Sequence, residues 1–494
     1  MPPPRASSRL RWRSRRPLPL LLLIALFLAG CGGDAASTPL ARSPAPAVPL
    51  SGAPPTIAAT GTGGSTIAFP PVDPAARPTA QVTPSRDGVS EGVRVTGADR
   101  WHAAGLTGRG VRVGVIEWTF NETEKYLKGA KFTARSFRDD GKTVITNEAE
   151  LPYGQLHGTA TATIVHEMAP DAELVLAVIT QDAESFTRAV DWLTFTARVN
   201  VISFSGGWYS GYAKDGTSPM AQAVDRAKAA GVFMALSAGN KASGTPGTDS
   251  VEGHYRADYR DSDNDGYHDF APAGGGRGQG AMTIRVANGI LKLQLDWEGH
   301  RNPDAAYSFF LNDSGGKRVA WSDPARTSDT DTPYAKLEAQ LPRGNYALYI
   351  RKEGPDTPDL PVEMFFVGAQ FPQITPEGSL NMPADARGSM TVGASNWRTD
   401  RVEVYASRGP TRDGRVKPDL YGPDCTTSSA YSSFGGEFCG SSAGTPHVAG
   451  AAALVKGAYP QASPDDTLAW FRQYGKTLSG NGLRVDLGPL PPRG

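Results

Sequence analysis

Short apolar segments alternate with helical patterns between residues 96 and 248, and this alternation restricts the fold more than any other feature of the chain. The apolar segments occupy residues 111–117, 174–179, 201–204 and 232–237. Between them, apolar residues recur at helical spacing, as at 220–230. Strands separated by helices pair in parallel, because each helix carries the chain back to the same end of the sheet. We therefore expect an α/β fold, with a parallel sheet and helices on both of its faces.

Beyond residue 280 the apolar residues recur at every second position, which is the pattern of a half-buried strand. The alternating apolar positions are Leu291, Leu293, Leu295, Trp297, Tyr346, Leu348 and Ile350. Clusters of Gly, Pro and Asp separate these segments, as is typical of turns between antiparallel strands. We therefore predict an antiparallel β-sandwich inserted at 281–368, between two parts of the α/β domain at 96–280 and 369–494.

The first 30 residues have the composition of an export signal. They contain six arginines and no acidic residue, and their apolar run at 18–30 is too short to span a membrane as a helix. Residues 28–31, Leu-Ala-Gly-Cys, resemble the bacterial lipoprotein box, which implies cleavage before Cys31 and acylation of that cysteine. A chance small-residue site before a cysteine is the alternative. The resemblance implies a lipid-anchored protein of the bacterial cell envelope, and Gly32 favours the outer membrane where a bacterium has two.

Residues 31–95 are rich in Pro, Ala, Gly, Ser and Thr and have no sustained periodicity. Such a segment cannot bury a core, so we predict a flexible tether. Removal of residues 1–30 leaves 44 basic and 50 acidic residues, a net charge of −6. This acidic balance gives no support to a nucleic-acid partner.

The segment 439–450 contains a serine in the setting that a catalytic nucleophile needs. Its sequence is Cys-Gly-Ser-Ser-Ala-Gly-Thr-Pro-His-Val-Ala-Gly, and an apolar run typical of a buried helix follows. A serine hydroxyl is a weak nucleophile unless a base and hydrogen-bond donors lie beside it. A Ser- and Gly-rich turn before an apolar helix is also an ordinary helix start. The order of the residues, however, resembles the nucleophile segment of the subtilisin-like serine proteases, the subtilases, with Ser442 as the nucleophile.

The resemblance implies an acid and a base upstream of Ser442. His157 begins a His-Gly-Thr-Ala motif at the start of a helical pattern and matches the base motif of the family, although a helix cap is its other interpretation. Residues 105–117 resemble the first core strand of the family, but Glu117 stands where the family has the triad aspartate. Glutamate supplies the same charge on a longer side chain and would orient His157. The alternative is a decayed triad in a pseudoprotease that binds peptides or surface partners.

Two further segments resemble parts of the subtilase site. Residues 232–240 resemble the strand and turn whose asparagine, here Asn240, donates a hydrogen bond to the oxyanion. An asparagine that tolerates a left-handed turn after glycine is the other interpretation. Residues 201–207 resemble the strand that pairs with extended substrate, with Ser205, Gly206 and Gly207 forming a wall of the pocket for the residue before the cleaved bond. Backbone pairing of this kind suits a polypeptide substrate.

Asp261, Asp263 and Asp265 alternate ahead of a glycine, as the ligands of a calcium-binding loop do. Position twelve of this loop is Pro272, so the usual closing acid is missing. A structural calcium site and a solvated acidic turn are both consistent with the pattern.

Cys425 and Cys439 form an even pair once Cys31 is acylated, and they lie fourteen positions apart. In an oxidising compartment such a pair forms a disulfide. We predict that this disulfide steadies the turn that presents Ser442.

These patterns together predict an exported, lipid-anchored serine endopeptidase with a triad of Glu117, His157 and Ser442. Its chemistry requires no cofactor, and its partners are polypeptide substrates and, through the N-terminal lipid, a membrane. The sequence gives no indication of the oligomeric state. The alternatives are the peptide-binding pseudoprotease and an adhesion module that acts through the sandwich.

Overall fold

The computed structural model describes residues 88–137, 156–243, 252–270, 280–286, 289–298, 302, 304–324, 332–434, 436–480 and 482–491. The predicted signal peptide, Cys31 and most of the predicted tether lie outside the described residues. Within the described ranges, every helix is too short or too polar to span a lipid bilayer.

Eight α-helices occur in the described residues, and two of them begin at residues of the predicted site. They are α1 (Gly92–Val95), α2 (Ala98–Ala103), α3 (Thr123–Tyr126), α4 (His157–Met168), α5 (Ala183–Asp191), α6 (Pro219–Ala229), α7 (Ser441–Ala458) and α8 (Pro464–Tyr474). A π-helical turn follows α5 at Trp192–Thr196, and a 3-10 helix precedes α7 at Ser429–Phe434.

The strands fall into a central sheet and a group of antiparallel sheets. In chain order they are β1 (Arg112–Glu117), β2 (Lys131–Ser136), β3 (Glu173–Val178), β4 (Val201–Phe204), β5 (Phe233–Ser237), β6 (Glu252–Asp258), β7 (Met282–Val286), β8 (Ile290–Trp297), β9 (Tyr307–Asn312), β10 (Arg318–Ser322), β11 (Tyr334–Gln340), β12 (Gly344–Lys352), β13 (Pro361–Val367), β14 (Ala369–Gln370), β15 (Met390–Asn396), β16 (Arg401–Val402), β17 (Leu420–Asp424), β18 (Thr426–Thr427), β19 (Glu437–Phe438), β20 (Lys476–Thr477) and β21 (Leu483–Arg484).

The central sheet has the order β2-β3-β1-β4-β5-β15-β17-β21-β20. Its neighbours pair in parallel from β2 to β21, and β20 pairs antiparallel to β21. Helices α4, α7 and α8 bury one face of the sheet, and α5 and α6 bury the other. A strand covered on both faces is apolar throughout, which is why β1 is buried at every residue after Arg112. The predicted α/β fold is confirmed.

Between β5 and β15 the chain forms two antiparallel sheets, which we call the antiparallel module (residues 252–370). One sheet has the order β10-β9-β12-β7-β14, the other has the order β11-β8-β13-β6, and both contribute to one apolar core. The module begins with β6, upstream of residue 281 where the sequence pattern predicted its start. The reason is that β6 reads Glu-Gly-His-Tyr-Arg-Ala-Asp, so it lacks an apolar alternation although it pairs along its whole length with β13.

The antiparallel module contacts the α/β domain through a buried cluster of charges. Glu363 on β13 accepts hydrogen bonds from Arg412 Nη2 at 2.7 Å and from His254 Nε2 at 2.8 Å, and it also pairs with Lys214. Asp296 Oδ2 on β8 lies 3.1 Å from Lys214 Nζ. Burial would raise the pKa of Glu363, but the charges of Arg412 and Lys214 hold it well below its usual value. The carboxylate is therefore charged in the folded protein.

Candidate active site

Glu117 and His157 meet where β1 ends and α4 begins. Glu117 is buried, and its Oε2 lies 3.2 Å from His157 Nδ1, while its Oε1 accepts a hydrogen bond from Thr161 Oγ1 at 3.4 Å. Burial would lower the pKa of His157, but the charge and the hydrogen bond of Glu117 outweigh burial and raise it above its usual 6.5. The pair is thus a partly exposed imidazole held by a buried carboxylate.

Gly158 lets the start of α4 approach the end of β1 closely beside Glu117. A Cβ at Gly158 would lie 2.1 Å from the Thr119 carbonyl oxygen and 2.9 Å from Glu117 Cβ. Any side chain at this position would push α4 away from the end of β1. The glycine that follows the histidine therefore permits the contact between the carboxylate and the imidazole.

Ser442 lies in the first turn of α7. The helix follows Gly440, whose φ of 101° is in the region that favours glycine. Ser442 Oγ donates to the Ser205 carbonyl oxygen at 3.4 Å, and Ser205 Oγ donates to the Ser442 carbonyl oxygen at 3.0 Å. Within the described residues, the Ser442 hydroxyl makes this weak bond to Ser205. It makes no hydrogen bond to His157 there. Catalytic hydrogen bonds are often long in unliganded enzymes and shorten when substrate binds.

Asn240 follows β5 and contacts the same turn. Its Oδ1 accepts hydrogen bonds from the Ser441 backbone amide at 2.9 Å and from Ser441 Oγ at 3.1 Å. Because these bonds hold the carbonyl side of the amide, Nδ2 faces Gly440, where it lies 2.7 Å from the position of a Cβ. An Asn240 oriented in this way presents its N–H donors towards Gly440, at the turn that leads into Ser442.

Ser205, Gly206 and Gly207 continue from the end of β4 and face Ser442 and the residues after β5. Neither glycine has room for a side chain. A Cβ at Gly206 would lie 2.2 Å from the Trp118 ring, and one at Gly207 would lie 2.4 Å from Asn381 Nδ2. The backbone of this segment is therefore flanked closely by two side chains that the sequence patterns did not identify.

Cys425 and Cys439 form a disulfide that joins the end of β17 to the residues before α7. Beside it, Asp424 Oδ1 accepts hydrogen bonds from the backbone amides of Cys425 and Gly440. Burial raises the pKa of Asp424 to about 7, against the opposing hydrogen bond from Tyr405. Sequence reasoning missed Asp424, and its position directly before a predicted disulfide cysteine was the one available signal.

Asp261, Asp263 and Asp265 lie together, with one carboxylate oxygen of each within 4.8 Å of the others. The loop uses part of their bonding capacity itself, because Asp261 accepts from the backbone amides of Asp265 and Gly266, each at 3.0 Å. Oxygen atoms of this kind suit calcium. The arrangement fits both interpretations that the sequence left open, so calcium binding stays a prediction.

Known proteins resemble this chain in sequence and in fold. The profile of the subtilase family (Peptidase_S8) matches residues 108–287 and 311–483. Over 175 residues the chain is 30% identical to subtilisin DY of Bacillus licheniformis, which covers 34% of this chain and 60% of that protein. Over 112 residues it is 30% identical to the uncharacterized protein aq_aa18 of Aquifex aeolicus (strain VF5), which covers 18% of this chain and 51% of that protein. The chain thus spans between half and 60% of the length of these curated relatives.

Among solved structures, the Clostridium perfringens CspB protease matches with a TM-score of 0.53 and 14% identity, over 80% of this chain and 95% of that chain. At 14% identity this match shows a shared fold only. The two segments matched by the family profile make up more than half of the chain and contain Glu117, His157, Asn240 and Ser442. The chain belongs to the subtilase family.

Proposed function

We propose that the protein is a serine endopeptidase that hydrolyses peptide bonds through an acyl-enzyme. The observation that carries the proposal is the hydrogen bond between the buried Glu117 carboxylate and His157 Nδ1, which is 3.2 Å long. The His157 ring also packs against Phe438, just before the helix that carries Ser442, with ring centroids 5.2 Å apart. A carboxylate at Nδ1 fixes the tautomer in which Nε2 is free to accept a proton. Ser442 Oγ attacks the substrate carbonyl and passes its proton to His157 Nε2, which then protonates the leaving amine.

Asn240 Nδ2 and the backbone amide of Ser442 would stabilise the oxyanion of the tetrahedral intermediate. The bonds from Ser441 to Asn240 Oδ1 support this role, because they hold the amide group in one orientation before substrate arrives. Pre-oriented donors of this kind lower the barrier without reorganisation during the reaction. Removal of one such donor typically raises the barrier by about 3 kcal/mol.

A fluorophosphonate probe tests the proposal, because it reacts covalently only with an activated serine. The wild type is expected to incorporate the probe and to cleave an unfolded protein, and Ser442→Ala is expected to do neither. The rival function is the peptide-binding pseudoprotease, which the bond from Ser442 Oγ to the Ser205 carbonyl favours. A folded wild type that binds peptides but neither reacts with the probe nor cleaves would establish the rival function.

We also propose that the protein is exported and anchored by lipid at Cys31, on the lipoprotein-box resemblance of residues 28–31. Two or three acyl chains anchor a protein stably, whereas one does not. Cys31→Ser is expected to move the protein from the membrane fraction to the soluble fraction or to block processing of the signal. A membrane fraction that keeps the same amount of the variant would contradict the proposal.

A further inference from the structure

Two segments at one edge of the central sheet face each other beside Ser442, and the space between them is closed at its base. One segment is 205–207 after β4, and the other is 237–239 at the end of β5. If the proposed function holds, the side chain before the cleaved bond, the P1 residue, enters between these segments. What fills the base of this space therefore decides which P1 side chains fit.

Asn381 lies in the segment between β14 and β15 and occupies the base of this space. It is only 2% exposed, and its backbone amide donates to the Ala238 carbonyl oxygen at 3.2 Å. Its side-chain Nδ2 donates to the Gly206 carbonyl oxygen at 3.3 Å, and a Cβ at Gly207 would approach this nitrogen to 2.4 Å. One residue thus bonds to both segments and joins them.

Ser237 strengthens this closure from within β5. Its Oγ donates to the same Gly206 carbonyl oxygen at 3.3 Å. With Asn381 and Ser237 both bonded to it, the Gly206 carbonyl is held against the base of the pocket. A P1 side chain that displaced this carbonyl would have to break both hydrogen bonds.

Tyr209 fills the space next to Asn381 and connects it to the antiparallel module. A Cβ at Gly239 would lie 2.9 Å from the Tyr209 hydroxyl oxygen, so the phenol touches the backbone next to Asn240. On its other side the Tyr209 ring packs against Phe365 of β13, with ring centroids 4.6 Å apart. The module therefore packs against Tyr209 on the side away from Gly239, which restricts movement of the ring out of the pocket.

We propose that Asn381 and Tyr209 close the P1 pocket, so that the protein cleaves after glycine, alanine or serine and excludes large side chains. This inference rests on the proposed function. Asn381 spans the base through its hydrogen bonds to both segments, so an aromatic ring could enter this depth only by breaking them. A methyl or hydroxymethyl group, by contrast, needs only the space above Asn381.

The test compares two peptides that are identical except for alanine or phenylalanine at P1. For the wild type we expect kcat/KM for the alanine peptide to exceed that for the phenylalanine peptide at least a hundredfold. In Asn381→Gly the ratio of phenylalanine to alanine cleavage is expected to rise at least tenfold, which is the scale of discrimination that pocket size supplies. Asn264→Gly is the matched control, because Asn264 is exposed and has a φ of 59° that glycine adopts readily. Its ratio is expected to equal that of the wild type.

The fluorophosphonate probe distinguishes failure of this inference from failure of the proposed function. A wild type that reacts with the probe but cleaves the phenylalanine and alanine peptides at equal rates would contradict the closed pocket. The proposed protease function would be unaffected. A wild type that does not react with the probe would overturn both. If Asn381→Gly does not fold, the P1 preference of Asn381→Ala and that of the wild type across all P1 residues still test whether the pocket is closed.

Discussion

At the scale of single residues, Glu117 is where this chain departs from the subtilase pattern, and both of its carboxylate oxygens have partners. Oε1 is bonded to Thr161 and Oε2 to His157. Gly158 allows the helix to approach the carboxylate closely. Because both oxygens have partners, the extra methylene is accommodated and the charge stays beside the imidazole.

Glu117→Gln is expected to lower kcat by about a thousandfold or more, because a neutral amide favours the wrong tautomer of His157. Peptide binding is expected to change little. Glu117→Asp is also expected to lower kcat, since the shorter side chain lengthens a hydrogen bond that is already 3.2 Å. Steady-state kinetics on one peptide substrate measure both variants. An aspartate variant faster than the wild type would show that the backbone has not adapted to glutamate.

The pH dependence of activity tests the same contact. His157 must be neutral to accept the proton of Ser442, so kcat/KM rises as the pH rises through the pKa of His157. Glu117 raises that pKa above 6.5. Glu117→Gln removes the charge, so the acid limb of the profile is expected to move to lower pH, in addition to the loss of rate. An acid limb that keeps its midpoint in the variant would show that another group controls it.

The raised pKa of Asp424 predicts that the stability of the fold falls as the pH rises. Burial raises its pKa to about 7, compared with 3.8 in the unfolded chain. Its stabilising contribution is therefore complete below pH 3.8 and is lost as the pH rises through about 7, by up to about 4 kcal/mol. Asp424→Asn cannot ionise, so its stability relative to the wild type is expected to increase between pH 4 and pH 8. Urea unfolding across this range measures the difference, and a constant difference would contradict the prediction.

The sequence was sufficient to propose Glu117, His157, Asn240 and Ser442, because each lies in a short contiguous motif at the end of a strand or the start of a helix. It was not sufficient for Asn381, Tyr209 or Asp424. These residues reach the site through tertiary contacts, and among them only Asp424 has a signal along the chain, its position directly before a predicted disulfide cysteine. Local patterns thus identify the groups that react, whereas residues that shape the pocket require the fold.

At the scale of elements, the same distinction applies to strands. The strands β8 and β12 were recognised by their alternation of apolar and polar residues. The strand β6 was not, because it lacks this alternation and its buried His254 bonds to Glu363 of β13, a partner that the local sequence does not show. Its place in the sheet depends on β13, more than 100 residues later in the chain.

Glu363 on β13 permits a test of how the antiparallel module is held to the α/β domain. Glu363→Ala leaves Lys214 and Arg412 buried without this partner, so we expect the free energy of unfolding to fall by about 3 to 5 kcal/mol. Glu338→Ala is the control, because Glu338 pairs with Lys292 at 3.0 Å on the surface and its loss is expected to be within about 1 kcal/mol. Urea unfolding measures both variants. Equal losses would show that the buried cluster does not hold the module.

At the scale of the whole molecule, the fold brings the site together at one edge of the central sheet. Glu117 is the last residue of β1, Ser205 and Asn240 follow β4 and β5, and the helices α4 and α7 begin at this same edge. In a parallel sheet all strands end on one side, so residues far apart in the chain meet there. The strand-helix alternation predicted the parallel sheet, and the resemblance of the motifs to the subtilases implied that their residues form one site. Neither could predict that β13 of the antiparallel module would support the adjoining pocket.

The disulfide between Cys425 and Cys439 stabilises this edge of the molecule. It closes a loop of 14 positions that ends directly before α7 and contains Phe438, whose ring packs edge-on against His157 with centroids 5.2 Å apart. A disulfide that closes a loop of this length stabilises a fold by about 3 kcal/mol. Such bonds persist in oxidising compartments, which accords with the proposed export.

Replacement of both cysteines by serine is therefore expected to lower the free energy of unfolding by about 3 kcal/mol and to slow the reaction with the fluorophosphonate probe. The slower reaction follows because the loop that positions Phe438 against His157 would no longer be tied to the end of β17. Urea unfolding with and without reductant provides the control: reductant should bring the wild type to the stability of the double variant and leave the variant unchanged. Two free thiols in wild-type protein produced in an oxidising compartment, titrated under denaturant without reductant, would show that the bond does not form.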